Sequence, residues 1–216
     1  MSAQQSLVSG TVYGIILNDR GSLDRLGAAL EDAPYKGAPK APVLYIKPAN
    51  THLASGSTVC LQAGEDRVEV GATVGIVLGG AASRVKAADA AALIAGYRLV
   101  ADLSLPHASY YRPAIREKCF DGACPMGELI PAASVGEVRN LAITVEVDGK
   151  VVATRTFTDL VRDVPQLLAE VSEFMTLQPG DMLLVGVRYQ AEQAARGQAV
   201  RLSAAGLGEL TFNLAV

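Results

Sequence analysis

Between Val68 and Leu78 the chain reads Val-Glu-Val-Gly-Ala-Thr-Val-Gly-Ile-Val-Leu and stops at Gly79-Gly80. Period-two alternation at the start gives way to an all-apolar finish, the pattern of a strand covered on both faces. Half of the 216 residues are hydrophobic, yet Trp is absent and aromatics make up only 5%, so the core is expected to be built from Val, Leu, Ile and Ala. A chain of this length is enough for one large β-rich domain. The reading is a single domain over 1–216, with a strand-helix lead-in to about residue 40 and a β-rich core from residue 41.

Other segments fill in the pattern. Residues 11–17 read as a short strand ending at the Asn18-Asp19-Arg20-Gly21 turn, followed by a helix from about Ser22 to Glu31. Ser22 is its expected cap, and Leu23, Leu26 and Leu30 recur at helical spacing. Val43 to Pro48 is an apolar strand that delivers Lys47 at its end. Ala87 to Ile94 reads as an Ala-rich helix, stopped by Gly96-Tyr97 before a buried run, Leu99 to Ala101, that ends on Asp102. Asp148-Gly149 between two β-rich runs marks a hairpin. Residues 159–173 carry Leu160, Val164, Leu167, Leu168 and Val171, with Phe174 next, at helical spacing; Pro179-Gly180-Asp181 turns into a strand from Met182 to Val187, and two short strands close the chain. The expected class is α+β, mostly β, with a few short helices.

Charge and cysteine usage narrow the function classes. A net charge of -3 and no run of Lys or Arg give no electrostatic reason to expect nucleic acid. Three cysteines, Cys60, Cys119 and Cys124, are an odd number without a C-x-x-C pair, which argues against a disulfide framework or a structural zinc and for a reducing compartment. No apolar run approaches the roughly 20 residues that span a bilayer, and residues 1–10 lack a basic n-region with a long apolar stretch. A cytoplasmic protein, away from membranes, is expected.

Chemistry concentrates in Tyr110-Tyr111-Arg112-Pro113, Lys118-Cys119-Phe120-Asp121-Gly122 and Cys124-Pro125-Met126-Gly127. Phenols, a guanidinium, an ammonium and a carboxylate in a Pro- and Gly-punctuated segment are the makings of a loop that holds a small anion. Lys118 with Arg112 and Tyr111 reads as a clamp on such an anion, against a structural ion pair between Lys118 and Asp121. Asp121 itself is expected to tether the loop. Lys47, at a strand end, is either a substrate-facing cation or a solvated charge. His52 and His107 show no ligand spacing, and Cys119 and Cys124 read as buried thiols rather than nucleophiles.

The order of these pieces resembles the fumarylacetoacetate hydrolase family over nearly the whole length. The resemblance is carried by Tyr45-Ile46-Lys47-Pro48-Ala49-Asn50, by Ala95-Gly96-Tyr97 with Ala101-Asp102, by Cys119 to Gly127, and by Ser172 to Asp181. Ser104-Leu105-Pro106 and Tyr110 to Pro113 are similar to the amino-terminal half of members that isomerise or decarboxylate an unsaturated oxo-dicarboxylate in aromatic catabolism. The resemblance implies a mixed β-sandwich or β-roll, a small oxo-dicarboxylate as ligand, Mg²⁺ or Mn²⁺ as cofactor, and a homodimer or a hetero-oligomer with a homologous carboxyl-terminal-half subunit. It assigns catalytic roles to Lys118 and Lys47, substrate contacts to both together with Arg112 and Tyr111, and a metal-ligand role to Asp102.

The family's metal pattern is broken here. Its Glu-x-Glu pair falls on Gly71 and Thr73. Residues two apart on a strand share a face, so that spacing serves two carboxylates on one ion. With both gone, metal binding is expected to be weak or absent, unless Glu69 swings toward Asp102 across the space left by Gly71. The alternative for Asp102 is a capping and hydrogen-bonding role. The water-activating His and Glu of the family fall on Ser22 and Arg25, and its Gly-Thr-Pro turn becomes Gly186-Val187-Arg188, so hydrolysis is disfavoured. Two readings stand: a catalytic subunit, or a non-catalytic partner of a metal-bearing homologue.

Overall fold

The computed structural model describes residues 8–107, 109 and 114–215. Tyr111 and Arg112, expected in the clamp, lie outside the described residues. The strands are β1 (Val12–Ile16), β2 (Val43–Lys47), β3 (His52–Ala54), β4 (Ser57–Val59), β5 (Arg67–Leu78), β6 (Ile94–Ser104), β7 (Cys124–Met126) and β8 (Ile130–Pro131). They continue with β9 (Ala142–Val147), β10 (Lys150–Thr156), β11 (Met182–Leu184), β12 (Gln193–Ala195), β13 (Ala199–Ala204) and β14 (Gly208–Leu214). Among the described residues three α-helices join them: α1 (Arg20–Leu26), α2 (Ile115–Lys118) and α3 (Val164–Phe174).

Among the described residues the strands form two mixed sheets. The larger runs β2-β1-β11-β5-β6-β7-β3, with β12 added to β5 and β8 to β6; the smaller runs β10-β9-β13-β14-β4. β2 and β3 stand at opposite ends of the larger sheet, yet only residues 48–51 separate them in sequence. So short a link forces the two ends together and rolls the sheet, which puts one of its faces inside the roll.

β5 is the spine. Val68 through Ile76 are buried without interruption, as a strand covered on both faces requires. Its Val68, Val70, Ala72, Val74, Ile76 and Leu78 join the main core with Leu99, Ala101 and Leu103 of β6, the smaller sheet and α3. The alternate residues Glu69, Gly71 and Thr73 face into the roll, where Glu69 lies opposite Ser104, Gly71 opposite Asp102 and Thr73 opposite Val100. That inner face carries the candidate site.

The hairpin at Asp148-Gly149 forms as expected, with both residues at positive φ (49° and 74°), the backbone that two-residue hairpin loops demand. α3 starts at Val164 rather than at residue 159, because Asp163 and Gln166 close a capping box and Pro165 sits in the first turn. Phe174 falls off its buried face and is 64% exposed.

Three expectations are corrected. The first helix is capped by Asp19, whose side chain accepts from Ser22 N at 2.8 Å. Ser22 is instead buried inside the first turn, and the α-helix ends at Leu26 because Gly27 takes φ +47°; a 3₁₀ turn covers Gly27–Leu30. The Ala-rich segment is likewise 3₁₀ over Ala87–Leu93, and Gly96-Tyr97 belong to β6, recruited by pairing with β5 and β8. The strand expected from Met182 to Val187 shortens to Met182–Leu184.

A candidate active site built on Asp102

Asp102 projects from β6 into the roll and is 1% exposed. Three groups converge on its carboxylate. Lys47 Nζ lies 2.7 Å from Oδ1, Lys118 Nζ lies 3.1 Å from Oδ2, and the Tyr45 hydroxyl donates a short hydrogen bond to Oδ2. Lys118 Nζ also stands 4.7 Å from the centroid of the Tyr45 ring, a cation–π contact.

The local sequence explains each arm. Tyr45 and Lys47 are two apart on β2 and share its inner face. Lys118 closes α2 just before the 119–123 turn, which is tied back by Gly122 N to Asn50 O at 3.0 Å. Asp121 is exposed, and its Oδ1 accepts from Asn50 Nδ2 at 2.7 Å. Lys118 therefore pairs with Asp102, not with Asp121. Within the described part of this loop, residues 114–127, α2 places Lys118 beside Asp102.

Lys47 is placed differently from a cation that meets solvent or substrate. It is fully buried, and its ammonium donates to Leu103 O at 2.7 Å, Lys118 O at 2.7 Å and Ala123 O at 2.9 Å. All three of its N–H groups are spent on backbone carbonyls. Asp102 Oδ1 consequently has the positive charge beside it but no donor of its own. Lys47 ties β2, β6 and the 118–123 segment together.

The charges respond to this packing. Burial alone would raise the Asp102 pKa, but Lys118, Lys47 and the Tyr45 hydroxyl outweigh it and hold the carboxyl below its usual range. Burial lowers the Lys118 pKa, with Asp102 opposing that shift and Lys47 adding to it. Glu69 is 7% exposed, and burial lifts its pKa to about 7 against the pull of Lys118. Cys124 is buried, with its thiol pushed to about 12 by burial. His52 is bonded through Nε2 to Lys47 O at 3.1 Å, and His107 Nδ1 lies 3.0 Å from Leu105 O.

The residues present do not fit a divalent cation. A hard six-coordinate ion wants several oxygen donors. Both Asp102 oxygens face ammonium groups, and Thr73 donates its hydroxyl to Gly186 O at 2.8 Å. A side chain at position 71 would meet Asp102 O at 2.6 Å and Val187 Cγ1 at 2.8 Å, so Val187 has filled the ground that a carboxylate there would need. No group of three or more His, Cys, Asp or Glu side chains suited to a metal exists among the described residues.

Sequence reasoning did not single out Tyr45, Gly14 or Val187. Tyr45 was visible in Tyr45-Ile46-Lys47-Pro48, two residues before Lys47, which by strand periodicity places both on one face. Gly14 lies directly opposite Tyr45 across β1 and β2, and a Cβ there would collide with the Tyr45 ring. Val187 has no sequence signal beyond the altered Gly186-Val187-Arg188 turn.

Residues 11–215 match the family model described as Fumarylacetoacetate (FAA) hydrolase C-terminal. The chain belongs to the fumarylacetoacetate hydrolase family. It is 41% identical over 203 residues to the 4-hydroxyphenylacetate degradation bifunctional isomerase/decarboxylase of Escherichia coli, covering 94% of this chain and 46% of that protein. The chain thus spans about half the length of such curated relatives. Among solved structures, 5-carboxymethyl-2-hydroxymuconate delta-isomerase from Mycobacterium smegmatis superposes with TM-score 0.79 at 26% identity, covering 96% of this chain and 79% of that one. Fumarylpyruvate hydrolase from Pseudomonas aeruginosa, solved with Mn²⁺ and pyruvate, superposes with TM-score 0.81 at 23% identity over 100% and 93%, a likeness of fold. The α+β, mostly β architecture is the family's. No helix among the described residues is long and apolar enough to cross a membrane.

Proposed function

We propose that this chain is one half of a two-part enzyme that isomerises and decarboxylates an unsaturated oxo-dicarboxylate of aromatic catabolism, of the type represented by 2-hydroxyhepta-2,4-diene-1,7-dioate. The 41% identity to a bifunctional isomerase/decarboxylase over 94% of the chain supports the reaction class. Lys118, a buried ammonium beside the part-buried Tyr45, is the observation in the fold that carries it. A 1,3-proton shift and a loss of CO₂ both build negative charge on an enolate oxygen, and a preorganised cation in a low-dielectric pocket offsets that charge. In this reading Lys118 faces the developing enolate, Asp102 and Tyr45 hold its ammonium in place, and Lys47 fixes Asp102. Lys47 then acts as a positioning residue, and the homologous carboxyl-terminal half completes the assembly.

The absence of an acidic cage among the described residues favours a second reading, a non-catalytic half that supports a metal-bearing homologue. Ketonisation and decarboxylation assays with this chain alone, with the homologous half alone, and with both mixed separate the two. Turnover by this chain, or turnover by the mixture that falls with Lys118→Met in this chain, supports catalysis here. Full activity of the homologous half without this chain removes both readings.

A further inference from the structure

Arg155 carries a positive charge on the inward face of β10, the strand that ends the smaller sheet, and its side chain is 4% exposed. Its contacts are one-sided. Nη1 donates to Thr156 O at 2.5 Å and to Asp159 Oδ1 at 3.1 Å, and the Phe157 ring covers the guanidinium with its centroid 4.7 Å from Cζ. Nε and Nη2 are buried and have no hydrogen-bond partner among the described residues. In a planar guanidinium these two N–H groups lie along one edge and point the same way, so a single acceptor can take both. Buried donors left unmet are costly, and an ionised one more so.

Arg155 borders a small gap between the two sheets, against Val70 and Ala72 of β5 and Ala153 of β10. Val70 and Ala72 alternate along β5 with Gly71 and Thr73, so the gap lies on the face of that strand turned away from the Asp102 cluster. Arg188 and Glu192 border it as well. Both are half-buried, which opens the gap toward solvent, and neither makes an ion pair among the described residues. The free volume for the centre of a water-sized body is about 10 Å³, the scale of one such body. A carboxylate or phosphate, with several heavy atoms, is too large for it.

The nearby charges leave this edge of Arg155 unanswered. Burial lowers the Arg155 pKa, opposed by Asp19 and Asp159 and reinforced by Arg188. Asp159 is held on Nη1, and the two oxygens of Asp19 accept from Ser22 N and Ser22 Oγ at 2.8 Å each.

We infer that the Nε/Nη2 edge of Arg155 turns to this gap and holds one monatomic anion there, chloride in a cell, with Arg188 as the second cation. A sphere accepts from both N–H groups at once, and chloride is only slightly larger than water. A hydrogen bond between two charged groups is roughly twice as strong as a neutral one, and a dry site strengthens it further. Water would meet the same donors without answering either guanidinium. The ion ties β10 to the 186–192 segment that follows β11, and its site is independent of the Asp102 cluster and of the proposed function.

The test uses chloride, and bromide as its heavier stand-in, with the full chain. Crystals grown in sodium bromide should show an anomalous peak within hydrogen-bonding reach of Arg155 Nε and Nη2. In solution, chloride replaces gluconate over about 10–500 mM at constant ionic strength, so that screening does not change. The melting midpoint should rise by about 3–6 °C at ten times the dissociation constant. Arg155→Lys keeps the charge beside Asp159 but removes the paired N–H edge, and should weaken chloride at least about tenfold. Arg188→Gln changes a half-buried side chain without an ion pair, so it folds even if Arg155→Lys does not; it should weaken chloride several-fold. A water or the Glu192 carboxylate on the Arg155 edge in the bromide crystals, equal midpoints in chloride and gluconate, or a chloride effect untouched by both substitutions overturns the inference.

Discussion

Gly14 on β1 and Tyr45 on β2 are direct cross-strand partners, and the Tyr45 ring fills the volume that a side chain at position 14 would need. The glycine is a condition for the phenol to reach Asp102. Gly14→Ala is expected to destabilise the fold by about 1–3 kcal/mol through overpacking. In a Tyr45→Ala background the same change should be nearly neutral. Chemical denaturation of the two single variants and the double variant measures the coupling; additive effects would break the link between the two positions.

Removing the charge from Asp102 leaves two buried ammonium groups without an anion. Asp102→Asn should cost about 3–5 kcal/mol, and a thermal melt should shift down by roughly 6–20 °C for a chain of this length. A shift of only a degree or two would mean that Lys47 and Lys118 do not depend on this carboxylate.

Glu69 imposes a pH dependence. Its carboxyl releases its proton near 4.5 in the unfolded chain and near 7 in the folded one. Between those values the folded state holds more protons, so this group's contribution is fully present below pH 4.5 and is lost as pH rises to about 7. The size is up to roughly 3 kcal/mol. Asp102 acts in the opposite sense: its folded pKa is depressed, so its contribution is present above its ordinary range and lost only in acid. Denaturation midpoints from pH 4.5 to 8 should fall with rising pH for the native sequence and flatten for Glu69→Gln.

The thiols should react in order of burial. Cys60 is exposed, Cys119 is half-buried with its pKa raised by burial, and Cys124 is enclosed with its thiol at about 12. A disulfide reagent at pH 8 should label Cys60 fast and Cys119 slowly, and reach Cys124 only on unfolding. Rapid modification of Cys124 in the folded protein would contradict the packing around β7.

Much was legible in the order of residues. The unbroken burial of β5, the Asp148-Gly149 hairpin and the amphipathic face of α3 rest on local periodicity and turn chemistry, which neighbouring residues specify without the rest of the fold. One misjudged element shows what local pattern omits: Gly96-Tyr97 look like a helix stop in isolation, but pairing with β5 and β8 makes them strand. The loss of carboxylates at Gly71 and Thr73 was also plain in the sequence, because strand spacing says which positions share a face.

The sequence by itself determined the family and the mostly β class, and it pointed to Lys118 and Asp102 as candidate site residues. Only the tertiary structure decided what the charges do. The roll brings β2 against β6, and that meeting spends Lys47 on three carbonyls, seats Tyr45 on Asp102, and lets Val187 take the place beside Gly71. Those contacts join residues 45, 102, 118 and 187, far apart in the chain, and no local pattern records whether two such side chains will meet with a hydrogen to share.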